Sequence, residues 1–136
     1  VDASGKDGGG SVRIGGDKQG KGTLQRAVTI EIDAKTTISA DATGTGDGGT
    51  VIVWSDEQTK FAGKISARGG DDGGNGGFAE VSGKQRLDFT GAVDLRARFG
   101  DTGDLLLDPY NVTISNAAGN TGGSMSANTN DSVINV

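Results

Sequence analysis

The sequence has no cysteine and no histidine, a single proline, and only one tryptophan, one tyrosine and four phenylalanines among its 136 residues. Without cysteine there are neither disulfides nor thiolate metal sites. Without histidine or cysteine, nucleophilic catalysis through a histidine base is excluded. One proline rules out collagen and a proline-rich linker. Long apolar runs are missing as well: stretches such as 51–54 and 105–107 fall far short of the ~20 residues of a membrane-spanning helix, so no membrane insertion is expected. Positive charge is in the minority, 13 basic against 18 acidic residues for a net charge of −5, and it is scattered. No basic stripe with interleaved aromatics exists, which leaves no nucleic acid among the expected partners.

What the chain does have is glycine, 26 residues of it, against roughly 7% in an average protein. The glycines cluster at 8–10, 44–49 and 69–77. Strand-like runs separate the clusters, a distribution that predicts tight turns rather than a disordered tract. A hydrophobic content of 32% is too low for a broad helical core. It suffices for a narrow interior filled by every second residue of short strands.

Residues 48–70, GGTVIVWSDEQTKFAGKISARGG, return in register as residues 76–97, GGFAEVSGKQRLDFTGAVDLRA. Thr50 to Phe78, Phe61 to Phe89 and Ile65 to Val93 are each 28 residues apart. Each copy holds a Gly-Gly turn, a short strand, a polar corner, a strand led by Phe, a glycine and a last strand. Repeats of this length mark stacked architectures, and short apolar runs between glycines make the unit β. Alternation puts Val51 and Val53 on one face and Ile52 and Trp54 on the other; both faces are apolar, so something outside must cover one. Equivalent positions stack about 4.8 Å apart, which sets Phe61 on Phe89 and Ile65 on Val93, with Ala67 matched to Leu95.

Residues 1–16 align with 38–56 and 65–83. Val1 to Ile38 is 37 residues against 27 from Ile38 to Ile65, so 17–26 (DKQGKGTLQR) reads as an insertion, a surface loop or extra arm. Residues 27–33 (AVTIEID) alternate with period two, Val28, Ile30 and Ile32 sharing the buried face. In a fourth turn of the repeat, Leu105, Leu106 and Leu107 stand where Val51, Ile52 and Val53 stood, and Asp108 falls near Ser55. Pro109 forces a turn, 111–114 resumes a strand, 115–132 is an Asn/Ser/Gly-rich loop and 132–136 (SVINV) an unfinished strand. The expected fold is all-β, one domain over residues 1–136: a right-handed parallel β-helix (β-solenoid) with rungs of about 27–28 residues and roughly five turns. An antiparallel sandwich or barrel is the alternative.

GGTVIVWSD (48–56), FAGKISARGG (61–70), GGFAEVSGK (76–84), LDFTGAVDL (87–95) and LLLDPYNVTIS (105–115) resemble the central region of large bacterial exoproteins of the filamentous haemagglutinin type. The resemblance is close over 38–115 and looser over 1–37. It implies a β-helical shaft exported by two-partner secretion, displayed at or shed from the cell surface, with roles in adhesion, aggregation or biofilm. The Asn-Pro-Asn motifs of that family's secretion domain are absent, so the chain is expected to be shaft, a segment of or processed from a longer secreted exoprotein. Cell-surface or matrix glycans are the ligands such a protein would meet.

Candidate sites are few. Asp71, Asp72, Asp101 and Asp104 are the carboxylates that a polysaccharide-cleaving β-helix enzyme would use. Asp and Asn among glycines are equally good turn formers, and no catalytic residue is assigned. Asp47, Asp71, Asp72 and Asn75 offer calcium ligands, but without the regular spacing of a β-roll. No Gly-Lys-Ser/Thr follows a glycine cluster, so there is no phosphate loop. No metal site or cofactor is expected. Trp54, Phe99 and Tyr110 would serve a polysaccharide-binding module as an aromatic platform, or merely pad corners. Uncapped ends of a solenoid expose strand edges. Val12, Ile14, Val133, Ile134 and Val136 are therefore the candidates for head-to-tail self-association into an open filament.

Overall fold

Side chains alternate across a strand, so an every-second-residue apolar pattern gives each strand one face to bury. The computed structural model describes residues 1–108 and the strand backbones of 112–114 and 133–135. In chain order the strands are β1 (Ser11–Ile14), β2 (Ala27–Ile32), β3 (Thr37–Ser39), β4 (Thr50–Phe61), β5 (Lys64–Ser66), β6 (Phe78–Gly83), β7 (Arg86–Phe89), β8 (Ala92–Asp94), β9 (Asp104–Asp108), β10 (Val112–Ile114) and β11 (Val133–Asn135). A short 3-10 turn at Lys18–Gly20 is the helical element among the described residues. The protein is all-β, with predominantly parallel sheets.

The pairing follows the sequence repeat. In the larger sheet Val51 lies beside Ala79 and Ala79 beside Leu105, while Phe61 lies beside Phe89. The smaller sheet runs β3-β5-β8, with Ile38 beside Ile65 and Ile65 beside Val93. Both sheets contribute to one apolar core, in which Ile38, Ile65, Val51, Val53, Val81 and Leu107 are buried. The Phe61 and Phe89 rings stack with centroids 5.5 Å apart and planes within 5°, as the 28-residue spacing predicts.

Four expectations need correction. The Phe residues do not lead strands: β4 runs unbroken through the polar corner and Phe61 closes it, as Phe89 closes β7. Thr59 and Phe61 point inward there, and buried Ser55 bonds Thr59 across the corner at 2.8 Å, so the ladder has no reason to stop. Val28 is 56% exposed, because a register shift between Ala27 and Thr29 turns it out of the alternation. Asp108 is in register with Ser82, and Ser82 with Trp54, one place earlier than Ser55. Finally, β11 does not continue the stack as a parallel turn. It pairs antiparallel with β9, Val133 beside Leu106 and Ile134 beside Leu105.

The expectations for Pro109, Tyr110, 115–132 and Val136 fall outside the described residues. Val12 and Ile14 lie on β1 and pair with Val51 and Val53. They sit at the opposite end of the larger sheet from Val133 and Ile134, with Val12 buried toward the core.

Candidate functional site: the arm and the outer face of the sheet

β1 meets β4 with a 39-residue separation (Ser11 to Thr50), whereas β2 meets the same strand at 28 (Ala27 to Ser55). The 11-residue difference lies between β1 and β2 and coincides with the expected insertion. Its neck is closed by the Ala27 N–H donating to the Gly15 carbonyl at 2.8 Å. The arm folds back over the outer face of the larger sheet and covers the second apolar face that the sequence left unexplained. Gly20 (φ 63°) lies flat against the Trp54 indole, where a Cβ would overlap the ring. Arg26 stacks over the same indole at 5.6 Å and pairs with Asp56 at 3.4 Å. Trp54 is only 5% exposed in consequence. It is not a surface platform, and of the three aromatics proposed for that role Phe99 is the exposed one described.

Glu80 fastens the tip. It occupies the outward position that Ile52 and Leu106 hold in the neighbouring strands, and it has no exposed surface. Both its oxygens accept the Gln19 N–H, at 3.0 and 3.1 Å, and the Ser82 hydroxyl donates to Oε1 at 2.9 Å. Gln19 reaches it from a left-handed backbone, φ 54°. Burial raises the Glu80 carboxyl above its ordinary value of 4.5, the bonds from Ser82 and Gln19 lower it, nearby Asp108 raises it and Lys18 lowers it. Sequence reasoning passed over this residue. Its signal was a carboxylate set between Ile52 and Leu106 in the repeat, on the face opposite the core.

Between the arm and the sheet runs an open groove of about 720 Å³. Ile52, Thr50 and Phe78 form its floor, and Arg13, Lys18 and Lys21 border it. Lys18 Nζ lies 4.0 Å from the centre of the Phe78 ring. Arg13 pairs with Asp17 at 3.3 Å, and Lys21 donates to Gln19 Oε1 at 2.7 Å.

The carboxylates singled out from sequence are spread through turns. Asp71, Asp72, Asp101 and Asp104 are all exposed. Asp47 and Asn75 serve the turns themselves: Asp47 Oδ1 accepts the Asn75 N–H at 2.7 Å, and Asn75 Oδ1 accepts the Asp101 N–H at 2.9 Å. Each side chain thus ties its own layer to the next. Among the described residues no group of three or more acidic side chains is placed to hold a metal ion, and no helix is long and apolar enough to cross a membrane. Neither a family model nor a curated protein matches this chain.

Proposed function

We propose that this chain is a right-handed parallel β-helical segment of an extracellular, non-enzymatic exoprotein of the filamentous haemagglutinin type, secreted by a two-partner system, with a structural and adhesive role. The observation that carries the reading is the parallel register at nearly constant spacing in both sheets: Val51, Ala79 and Leu105 in one, Ile38, Ile65 and Val93 in the other. Two sheets that advance together by 26 to 28 residues per step support a coil in which each step brings the chain back to the same direction. Right-handedness rests on the general preference of parallel crossovers.

Stacking on a further copy would use the end strands. Among the described residues β1 and β2 pair only with β4, which leaves their far edges open. β11 lies on β9 at the other end, so a head-to-tail contact meets an antiparallel strand there rather than a bare parallel edge.

Electron microscopy of the purified 136-residue chain, with mass analysis of the natural protein's termini, tests this reading. Filaments built from chains ending at Val1 and Val136 mark a self-assembling fibre subunit. Monodisperse particles, from a chain embedded in a longer secreted protein, mark a shaft segment. A natural protein confined to the cytosol, or glycan turnover by the purified chain, would sink both.

A further inference from the structure

The arm is knit together by its own bonds and held to the sheet by contacts of another kind. Within it the Gly20 N–H donates to the Asp17 carbonyl at 2.8 Å and the Leu24 N–H to Asp17 Oδ2 at 3.0 Å. The Ala27 N–H closes the neck on Gly15, whose φ of 77° gives the chain a free turning point there. The arm can therefore move as a unit. Toward the sheet, the Gln19 N–H reaches both oxygens of Glu80, Gly20 lies on Trp54, and Arg26 pairs with Asp56 at the rim. Of these contacts, the one to Glu80 alone places an ionisable group wholly out of water.

Few groups face that carboxyl among the described residues. On its own strand the Ser82 hydroxyl donates to Oε1 at 2.9 Å. The arm brings the Gln19 N–H and the Lys18 cation, and β9 brings the Asp108 carboxylate. Ile52 of β4 and Leu106 of β9 lie on either side. The other charges nearby are engaged, Arg13 with Asp17 and Lys21 with Gln19 Oε1. Lifting the arm readmits water to Glu80, so the open state favours the charge and the closed state the proton. Burial, the largest influence, accordingly raises the Glu80 carboxyl above its ordinary 4.5; the bonds from Ser82 and Gln19 oppose it, Asp108 adds to it, and Lys18 opposes it.

We propose that the arm is a pH-sensitive strap, which closes over Trp54 while Glu80 carries a proton and lifts as the carboxylate charges, uncovering the indole. One proton is linked to closure. The ratio of closed to open arms therefore falls by up to about tenfold per pH unit between the Glu80 values of the two states. The apolar core takes no part, so the opening is local. The inference rests on the arm and Glu80 and is independent of the exoprotein reading.

Trp54 is the chain's single tryptophan, so quenching of its fluorescence by acrylamide reads the arm directly. The experiment follows that quenching in the 136-residue chain from about pH 4 to pH 8. Amide-exchange protection at Gln19 and Gly20 is measured alongside, corrected for the intrinsic pH dependence of exchange. Quenching should rise and both amides lose protection together above pH 4.5, while the β5 and β8 amides keep theirs. Glu80→Gln stays neutral and still accepts from Gln19, so its arm should remain closed throughout. Lys18→Gln removes the cation that favours the charged form in the closed arm. It should extend the titration to higher pH and leave more arms open at its upper end. Gly20→Val, whose Cβ would overlap the indole, should leave Trp54 quenchable at every pH. The proposal fails if quenching in the native chain is flat with pH, if Glu80→Gln titrates as the native chain does, or if Lys18→Gln leaves the upper end unchanged. Loss of β5 and β8 protection in step with Gln19 would also overturn it, since the whole fold rather than the arm would then be opening. None of these failures alters the filament and shaft outcomes of microscopy.

Discussion

The inner and outer faces of the larger sheet belong to the same strands yet are completed in opposite ways. On the inner face Val51, Ala79 and Leu105 form one column and Val53, Val81 and Leu107 the next, apolar throughout. On the outer face the adjacent columns read Ile52, Glu80, Leu106 and Trp54, Ser82, Asp108. Repetition fills the inside, because each layer needs only a neighbour of similar size above and below. A single insertion covers part of the outside, and an element that occurs once can carry polar partners made to measure. The inner face accordingly reports on the fold, whereas the outer face carries the contacts that occur only once in the chain.

The largest effect is expected inside. Phe61 is 1% exposed and stacked on Phe89. Phe61→Ala should cost about 3–5 kcal/mol in denaturant unfolding. Because the two rings belong to one column, Phe61→Ala and Phe89→Ala should fall short of additivity in a double-mutant cycle. Full additivity would show that the stack is incidental to the core.

The outer face should respond locally. Glu80→Ala leaves the Gln19 N–H and the Ser82 hydroxyl without their acceptor, a loss of about 1–3 kcal/mol. Hydrogen exchange should speed up at Gln19 and its arm neighbours while the β5 and β8 amides keep their protection. Glu80→Gln separates hydrogen bonding from charge, since an amide oxygen still accepts from Gln19. Folding raises the Glu80 pKa above its ordinary 4.5, so the folded state holds the proton more tightly than the unfolded chain. The associated stabilisation is full below 4.5 and declines as pH rises through the raised value. Asp94 runs the other way. Hydrogen bonding from Arg96 lowers it below its ordinary 3.8, and its contribution, present above 3.8, declines as pH falls through the lowered value. Glu80→Gln should therefore flatten the stability profile above pH 4.5 and leave the acid limb in place. An unchanged slope above pH 4.5 would place the titrating group elsewhere.

Much of this was legible in the sequence wherever the pattern repeats. The 28-residue spacing anticipated the partners of Phe61 and Ile65, and the alternation in 51–54 separated the core residues from Ile52 and Trp54. Even the arm's place could be read, from a spacing too long by about ten residues. What could not be read was what meets only once. No period announces that Gln19 will take a left-handed backbone and land on Glu80, 61 residues later. The same holds for β11: its apolar pattern suits either direction of pairing, and the antiparallel one is found. Val28 failed for a smaller reason, since a register shift of one position is enough to reverse a face.

The smallest expected effect probes whether repetition extends to polar residues. Asp47 and Asn75 are 28 residues apart, and each side chain accepts the backbone N–H of its counterpart one layer on. The residue after Asn75 in this series is Asp101, 26 residues further and equally able to accept a bond. Read as turn formers, these residues act independently, and Asp47→Ala and Asn75→Ala should cost the same. Read as a ladder, they differ in the amide that each one protects. Asn75→Ala removes the tie to Asp101 and leaves the one from Asp47 intact, because Asp47 receives the Asn75 backbone rather than its side chain. Each substitution should cost about 0.5–1.5 kcal/mol, and in each case the amide that loses protection belongs to the layer following the substituted residue. Exchange rates at the Asn75 and Asp101 amides decide the matter: Asp47→Ala should expose only the first and Asn75→Ala only the second. If both amides loosen in either variant, the turns form one cooperative unit and these polar residues are no more independent than the apolar columns inside.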